Sequence, residues 1–194
     1  NRLFDKNESV SGDELALDPP LNNNESLIIR NSAKSALASF NPFRNSIEKV
    51  ENIPAYNIKP RNAEQIFALS LLMNPDLRLV TLSGKAGTGK TLLALAAALE
   101  VRKRYKQIYM ARPIVPLSNR DIGFLPGDIK SKLTPYMQPL YDNLGVIQDQ
   151  FKDSDKRAVL LKKMREEEKL VIAPLSYIRG RSLSNVYFIV DEAQ

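Results

Sequence analysis

The chain has 194 residues, 43% of them hydrophobic, which is enough for one α/β domain with a small additional module. Lysine and arginine number 28 against 22 acidic residues, a net charge of +6 that fits either a polyanionic partner such as nucleic acid or ordinary surface charge. Cysteine and histidine are absent, which excludes disulfides, thiol catalysis, histidine-based triads and most zinc sites. The sequence contains no apolar run long enough for a membrane span and no signal-peptide pattern at its polar start.

The first part of the chain predicts an arm followed by a small β-rich module. Residues 1–24 are rich in Asn, Asp and Glu, include Pro19-Pro20 and hold few apolar residues, which is typical of a linker or extended arm. Residues 25–57 contain three short β-like runs, at 26–30, 35–40 and 46–50, separated by turn-forming asparagines. We therefore expect a small antiparallel sheet, and no catalytic constellation is visible in it.

From residue 58 to the end, the sequence predicts a mixture of helices and short apolar strands, which is typical of an α/β fold. Apolar periodicity and composition predict helices at 61–73, 92–101, 135–143 and 153–169. Short apolar runs predict strands at 79–83, 107–111, 170–173 and 186–190. The stretch 113–130 holds three prolines and two glycines and predicts irregular structure.

The residues between the predicted strand at 79–83 and the helix after it match G-x-x-x-x-G-K-[ST], the phosphate-binding loop of nucleoside triphosphatases. Glycines let the backbone wrap closely around phosphates, and a helix N-terminus offers free N–H groups to an anion. We expect Lys90 to reach the β- and γ-phosphates of ATP and the Thr91 hydroxyl to ligate Mg²⁺. The alternative is a Gly-rich turn that only links strand to helix. The predicted nucleotide-binding residues of the loop are Gly84, Lys85, Ala86, Gly87, Thr88, Gly89, Lys90 and Thr91.

A second motif follows about 100 residues later, where the apolar run 186–190 ends in Asp191-Glu192. Acidic residues at the C-terminal end of a buried parallel strand fall beside the phosphate loop, at the mouth of the sheet. Asp191 is therefore a candidate for the Mg²⁺ shell, and Glu192 for the general base that activates water. A strand that simply runs into an acidic turn is the alternative. The second carboxylate favours hydrolysis over transfer of the phosphoryl group to another substrate.

Six segments carry a family resemblance: Ile58–Gln65, the phosphate loop, Ala111-Arg112-Pro113, Gly123–Asp128, Tyr177–Ser182 and Asp191–Gln194. Together they resemble the PhoH-like ATPase family, and the resemblance covers residues 58 to 194. The stretch before it is similar to the β-rich segment of longer members, which carry a PIN-type nuclease domain upstream. The family's later motifs, which follow the acidic strand, are not found, so the ATPase core at 58–194 is expected to be truncated at its C-terminus.

The resemblance implies a RecA-like P-loop NTPase core, related to superfamily 1 helicases, with a small β-rich module before it. It further implies a bacterial, cytoplasmic protein that binds ATP with Mg²⁺ and acts in RNA metabolism. Single-stranded RNA, a homo-oligomeric ring and a nuclease domain or partner nuclease are the expected partners, and no membrane is expected to be involved.

The resemblance also adds site residues. Gln65 matches the glutamine that precedes the phosphate loop in helicase-like ATPases, where its amide pairs with the adenine edge; a solvated helix glutamine is the alternative. Arg112 is expected to contact nucleotide or RNA, or to form a structural ion pair. Arg179 and Arg181 flank a glycine in a predicted loop, and they are candidates for RNA or phosphate contacts, for an arginine finger on a neighbouring subunit, or for a structural role.

These observations predict an ATPase domain in which ATP hydrolysis drives RNA remodelling or unwinding. The rival hypothesis is a nucleotide-gated assembly or regulatory module that controls a partner nuclease with little unwinding activity. A small-molecule kinase is disfavoured by Glu192 and by the lack of an obvious acceptor site. Stimulation of ATP hydrolysis by RNA would separate the first two hypotheses, because a remodelling motor requires it.

Overall fold

A computed structural model describes residues 9–15, 20–30, 34–114 and 129–193 of the chain. These residues form two compact units. The first unit comprises residues up to Ile53 together with Pro60–Asn74, and the second comprises Pro54–Lys59 together with the residues from Pro75 onward. No helix within the described ranges is long and apolar enough to cross a membrane.

The first unit contains a four-stranded antiparallel sheet with the strand order β1-β4-β3-β2. Its core is formed by Ala38 and Ile47, which are fully buried and pack against partly buried apolar side chains of the neighbouring strands. The turn between the last two strands is tightened by Asn41, whose side chain accepts hydrogen bonds from two backbone N–H groups. The strands are β1 (Val10–Ser11), β2 (Ser26–Arg30), β3 (Ser35–Asn41) and β4 (Ser46–Lys49).

The strand β1 lies inside the segment that the sequence predicted as an arm. Val10 pairs with Ile47 and Ser11 with Ser46, so this part of the segment belongs to the sheet. A two-residue strand has no periodicity of its own, and it forms because the edge of β4 offers it backbone partners.

The first unit also contains helix α1 (Ala63–Met73). Its N-cap is Asn62, whose side-chain oxygen accepts a hydrogen bond from the backbone N–H of Gln65 at 2.9 Å. The helix buries Leu69 and ends at Asn74, immediately before Pro75. This end is expected, because proline disfavours helical backbone in the residue before it.

The second unit is an α/β arrangement around a three-stranded parallel sheet with the order β6-β5-β7. This is consistent with the core of a P-loop protein. The strands are β5 (Gln107–Arg112), β6 (Leu170–Pro174) and β7 (Val186–Val190), and the helices are α2 (Lys90–Glu100), α3 (Ile129–Gln148) and α4 (Lys156–Glu166). Because all three strands point the same way, their carboxyl ends meet at one edge of the sheet.

Helix α2 forms the centre of this unit. Every residue from Leu93 to Leu99 is buried, so the helix is apolar all round, as a central core helix should be. It contacts β5, β7 and α3, while α3 and α4 contact β6. Since α2 begins inside the phosphate loop, the best-packed element of the unit fixes the position of that loop.

The short segment Pro54–Lys59 belongs to this unit through Tyr56. The Tyr56 ring is fully buried, lies between the guanidinium groups of Arg102 and Arg157 at 5.4 and 5.5 Å, and meets the Phe151 ring edge-on. Its backbone N–H donates to the Glu100 carboxylate at 2.8 Å, and its hydroxyl donates to the Arg157 carbonyl at 3.1 Å. These contacts attach the segment to α2 and to the start of α4.

Two predicted elements differ from the structure. The predicted strand at 79–83 is not assigned as a strand, and Leu79 is 82% exposed; no strand of the described residues pairs with it, and a β-strand requires such a partner. The helix predicted at 135–143 is longer, because α3 begins at Ile129, before Pro135, and ends at Gln148. Most of the predicted irregular stretch 113–130 lies outside the described residues.

Candidate nucleotide-binding site

The phosphate loop adopts a backbone conformation that depends on its glycines. Gly87 and Gly89 have φ angles of 77° and 84°, in the left-handed region that other residues adopt only with strain. Gly89 is also the N-cap of α2, and no side chain of the described residues caps it. The first N–H groups of the most deeply buried helix are therefore available to an anion.

Lys90, the first residue of α2, folds back over the loop. Its ammonium group donates hydrogen bonds to the carbonyl oxygens of Gly84 and Lys85, at 2.8 and 3.0 Å. Thr88 reinforces the same turn by donating its hydroxyl to the Lys85 carbonyl at 2.9 Å. The positive charge of Lys90 is thus held at the loop itself. When a phosphate binds there, its oxygens would replace these carbonyls as the acceptors for the ammonium group.

The loop and the acidic strand end are joined directly, although about 100 residues separate them in sequence. The Thr91 hydroxyl donates a hydrogen bond to Oδ1 of Asp191 at 2.6 Å. Asp191 follows β7, and its backbone N–H donates to the Ala111 carbonyl of the neighbouring strand at 2.8 Å, which fixes the carboxylate at the edge of the sheet.

This pair of side chains has the chemistry that Mg²⁺ requires. The Thr91 hydroxyl hydrogen is used on Asp191, so the oxygen keeps its lone pairs, and Asp191 offers carboxylate oxygens. Mg²⁺ prefers oxygen ligands, keeps several waters and uses only one or two protein groups beside substrate phosphates. The described residues hold no cluster of three or more acidic or other metal-binding side chains, and a site of this kind does not need one.

Arg112 is the third charged group at this edge. It ends β5, and one of its guanidinium nitrogens lies 3.8 Å from Oδ2 of Asp191. The Asp191 side chain is only 14% exposed, so the ion pair is partly shielded from solvent. Of the alternatives for Arg112, the structure contains the ion pair, while contact with nucleotide or RNA stays a prediction.

Glu192 follows Asp191 in an exposed turn with a φ angle of 52°. Non-glycine residues adopt this left-handed conformation only at some cost. The backbone is therefore strained at the residue predicted to be the general base. The role itself stays a prediction.

The remaining three predicted residues belong to other elements of the chain. Gln65 belongs to α1 in the first unit, where its side-chain oxygen accepts a hydrogen bond from the Arg61 backbone at 2.8 Å; its adenine contact stays a prediction. Arg179 lies in an exposed turn. Arg181 donates to the Tyr109 hydroxyl at 3.3 Å and stacks on the Tyr109 ring, with 5.7 Å to the ring centre. Sequence reasoning did not predict this contact, because it depends on which side chains the sheet brings together.

Comparison with known proteins agrees with the motif. Residues 57–194 match the family described as PhoH-like protein. Protein PhoH2 of Bacillus subtilis (strain 168) is 47% identical over 142 residues, which cover 72% of this chain and 31% of that protein. Protein PhoH2 of Thermobispora bispora is 37% identical over 142 residues, with the same coverage. The PhoH-like protein of B. subtilis (strain 168) is 42% identical over 113 residues, which cover 57% of this chain and 33% of that protein. This chain thus spans about a third of the length of these relatives, and it belongs to the PhoH-like protein family.

Proposed function

We propose that this chain is an ATP-binding and ATP-hydrolysing domain with a RecA-like core, and that its turnover is coupled to RNA remodelling or unwinding. The observation that carries the proposal is the 2.6 Å hydrogen bond between Thr91 and Asp191. It brings the two sequence motifs of a P-loop hydrolase to one point. A Gly-rich turn that only linked strand to helix would have no need of an acidic partner about 100 residues away.

Each residue of the site has a distinct task in this proposal. The loop N–H groups and Lys90 bind the phosphates of ATP, and Thr91 with Asp191 would hold Mg²⁺. When bound, that ion neutralises phosphate charge and orients the β- and γ-phosphates. Glu192 orients the attacking water and accepts its proton. Hydrolysis breaks the bond between the γ-phosphorus and the bridging oxygen, forms a bond from the water oxygen to that phosphorus, and yields ADP and inorganic phosphate.

The coupling to RNA and the assembly into a ring are the finer parts of the proposal. Support for RNA comes from the net charge of +6 and from the exposed arginines that follow β6. Support for a homo-oligomeric ring comes from the chemistry of P-loop hydrolases, which commonly need an arginine supplied from outside their own site. We place the protein in the cytoplasm, a reducing compartment that suits a chain without cysteine.

Nucleotide binding and RNA-stimulated hydrolysis test the proposal. Lys90→Ala should bind a fluorescent ATP analogue at least about tenfold more weakly, because one ion pair to phosphate is worth about 1.5–3 kcal/mol. Lys103→Ala is the matched control, since Lys103 is exposed on the turn after α2. Equal binding by wild type, Lys90→Ala and Lys103→Ala would refute the phosphate-loop assignment.

The second measurement compares ATP hydrolysis with and without single-stranded RNA. A remodelling motor should hydrolyse ATP several-fold faster when RNA is present. An unchanged rate, together with normal ATP binding, would favour the nucleotide-gated module that controls a partner nuclease.

A further inference from the structure

A surface cavity of about 310 Å³ lies beside strand β6 in the second unit. It is lined by residues 170–172 of β6, a strand that pairs on one side only, with β5, within the described part of the chain. Five polar or charged residues from other segments also line it. They are Gln107, Tyr141, Arg165, Glu168 and Arg181.

The two arginines of this cavity are held in place by tyrosine rings. The guanidinium carbon of Arg165 lies 5.8 Å from the centre of the Tyr141 ring, and that of Arg181 lies 5.7 Å from the centre of the Tyr109 ring. Across the described ranges, no carboxylate lies within ion-pair distance of either guanidinium group. Each guanidinium group therefore lies over a tyrosine ring and has no carboxylate partner in the described ranges, which leaves its planar fork available to a phosphate.

The cavity is separate from the nucleotide site. Gln107 begins β5 and lines the cavity, whereas Ala111, four residues further along the strand, carries the carbonyl that fixes Asp191. At about 3.3 Å per residue, roughly 13 Å of strand separates these positions. The family motif that identified the phosphate loop does not include Arg165 or Tyr141, and their pairing follows from the packing of both α3 and α4 against β6.

We propose that this cavity binds the backbone of single-stranded RNA, with Arg165 and Arg181 contacting phosphates. Its volume suits a nucleotide-sized group, since ligand pockets begin near 300 Å³. Glu168 is an exposed residue that lines the same cavity, and we assign its carboxylate as the acceptor for a ribose 2′-hydroxyl, the group that distinguishes RNA from DNA. This inference rests on the RNA-binding part of the proposed function, and it adds a site for that RNA.

Fluorescence anisotropy with a short fluorescein-labelled oligouridylate tests the site across a range of salt concentrations. The double variant Arg165→Ala/Arg181→Ala should bind about fivefold more weakly, since two partly screened contacts are worth about 0.5 kcal/mol each. Its plot of log affinity against log salt should be shallower by about 1.4, because each single-strand phosphate contact contributes about 0.7. The matched control Lys103→Ala/Lys162→Ala removes the same charge from exposed positions outside the cavity and should keep the wild-type slope.

Three further measurements protect the test against misfolding and identify the ligand. Arg165→Lys/Arg181→Lys keeps the charge but loses the planar stacked group, so it should bind between wild type and the alanine variant. RNA that carries 4-thiouridine should crosslink to peptides containing Tyr141 or Arg181. Glu168→Ala should reduce the preference for oligouridylate over oligodeoxyuridylate of equal length.

The outcomes separate this inference from the proposed function. If wild type binds no RNA, the RNA part of the proposed function fails, and this site fails with it. If wild type binds RNA but the alanine variant and the control have equal affinity and slope, only this site is refuted. It is also refuted if inorganic phosphate raises the melting temperature of wild type but not of the alanine variant, while both bind RNA equally. The cavity would then be a site for free phosphate.

Discussion

Replacing Thr91 with valine isolates the bond that joins the two motifs of the site. Valine is β-branched like threonine and has nearly the same shape, so the substitution removes the hydroxyl and keeps the branching at Cβ. Asp191 then loses a 2.6 Å hydrogen bond in a position where its side chain is only 14% exposed. A hydrogen bond to a charged group is worth about 1.5–3 kcal/mol, and the partly buried position favours the lower value.

A loss of about 1.5 kcal/mol should lower the melting temperature by roughly 3–6 °C for a chain of this size. The same substitution removes a ligand for Mg²⁺, so Mg²⁺-dependent ATP hydrolysis should fall by at least about a hundredfold. Thr91→Ser keeps the hydroxyl and is the control. Scanning calorimetry without nucleotide and a phosphate-release assay across Mg²⁺ concentrations measure the two effects. Wild-type stability and turnover in Thr91→Val would refute the reasoning.

Three predictions concern stability. Tyr56→Phe should lower the free energy of unfolding by about 0.5–1.5 kcal/mol, because the hydrogen bond to the Arg157 carbonyl is lost. Burial raises the pKa of Tyr56 above its usual value, so the stabilisation linked to this shift is complete below about pH 10 and is lost as pH rises through the raised pKa. This alkaline loss of stability should be absent when the variant is unfolded in urea over the same pH range. Leu95→Ala should lower the free energy of unfolding in urea by about 2–5 kcal/mol, because Leu95 is fully buried in α2; a loss below 1 kcal/mol would contradict its place in the core. Asn62→Ala should cost about 0.5–2 kcal/mol by removing the N-cap of α1, whereas Asn62→Asp should retain the cap in the same assay.

The elements that the sequence predicted well are those whose stability is local or follows from uniform burial. Helix α2 follows from a run of Ala and Leu, and β7 from an apolar run that ends in acidic residues. The three strands β2, β3 and β4 follow from β-like runs between turn-forming asparagines. In each case the signal lies within the segment itself.

The elements that differ depend on partners elsewhere in the chain. The run at 79–83 has the composition of a strand, but pairing decides whether a strand forms. Val10–Ser11 is the opposite case, since it gains its structure from Ile47 and Ser46. Helix α3 extends beyond both ends of the predicted segment 135–143, and it packs against α2 and β6. Tertiary packing of this kind supplies most of the stability of a helix, so local composition alone does not fix where the helix ends.

The same distinction applies to the site. The phosphate loop could be predicted because its chemistry fixes residue types at a local spacing. A structural ion pair was one hypothesis for Arg112, but its partner Asp191 could not be predicted, because the pairing depends on the register of β5 and β7. The stacking of Arg181 on Tyr109 likewise requires the loop after β6 to return across the sheet.

The most direct test of the central claim is a comparison of ATP binding and ATP turnover in Glu192→Gln. Glutamine keeps the size of the side chain but cannot accept the proton of the attacking water, and the general base contributes about 10²–10⁴-fold to such a reaction. The variant should therefore bind ATP with wild-type affinity and release phosphate at least about a hundredfold more slowly. Phosphate release at the wild-type rate, with ATP still bound normally, would contradict the assignment of Glu192 and the hydrolytic mechanism built on it.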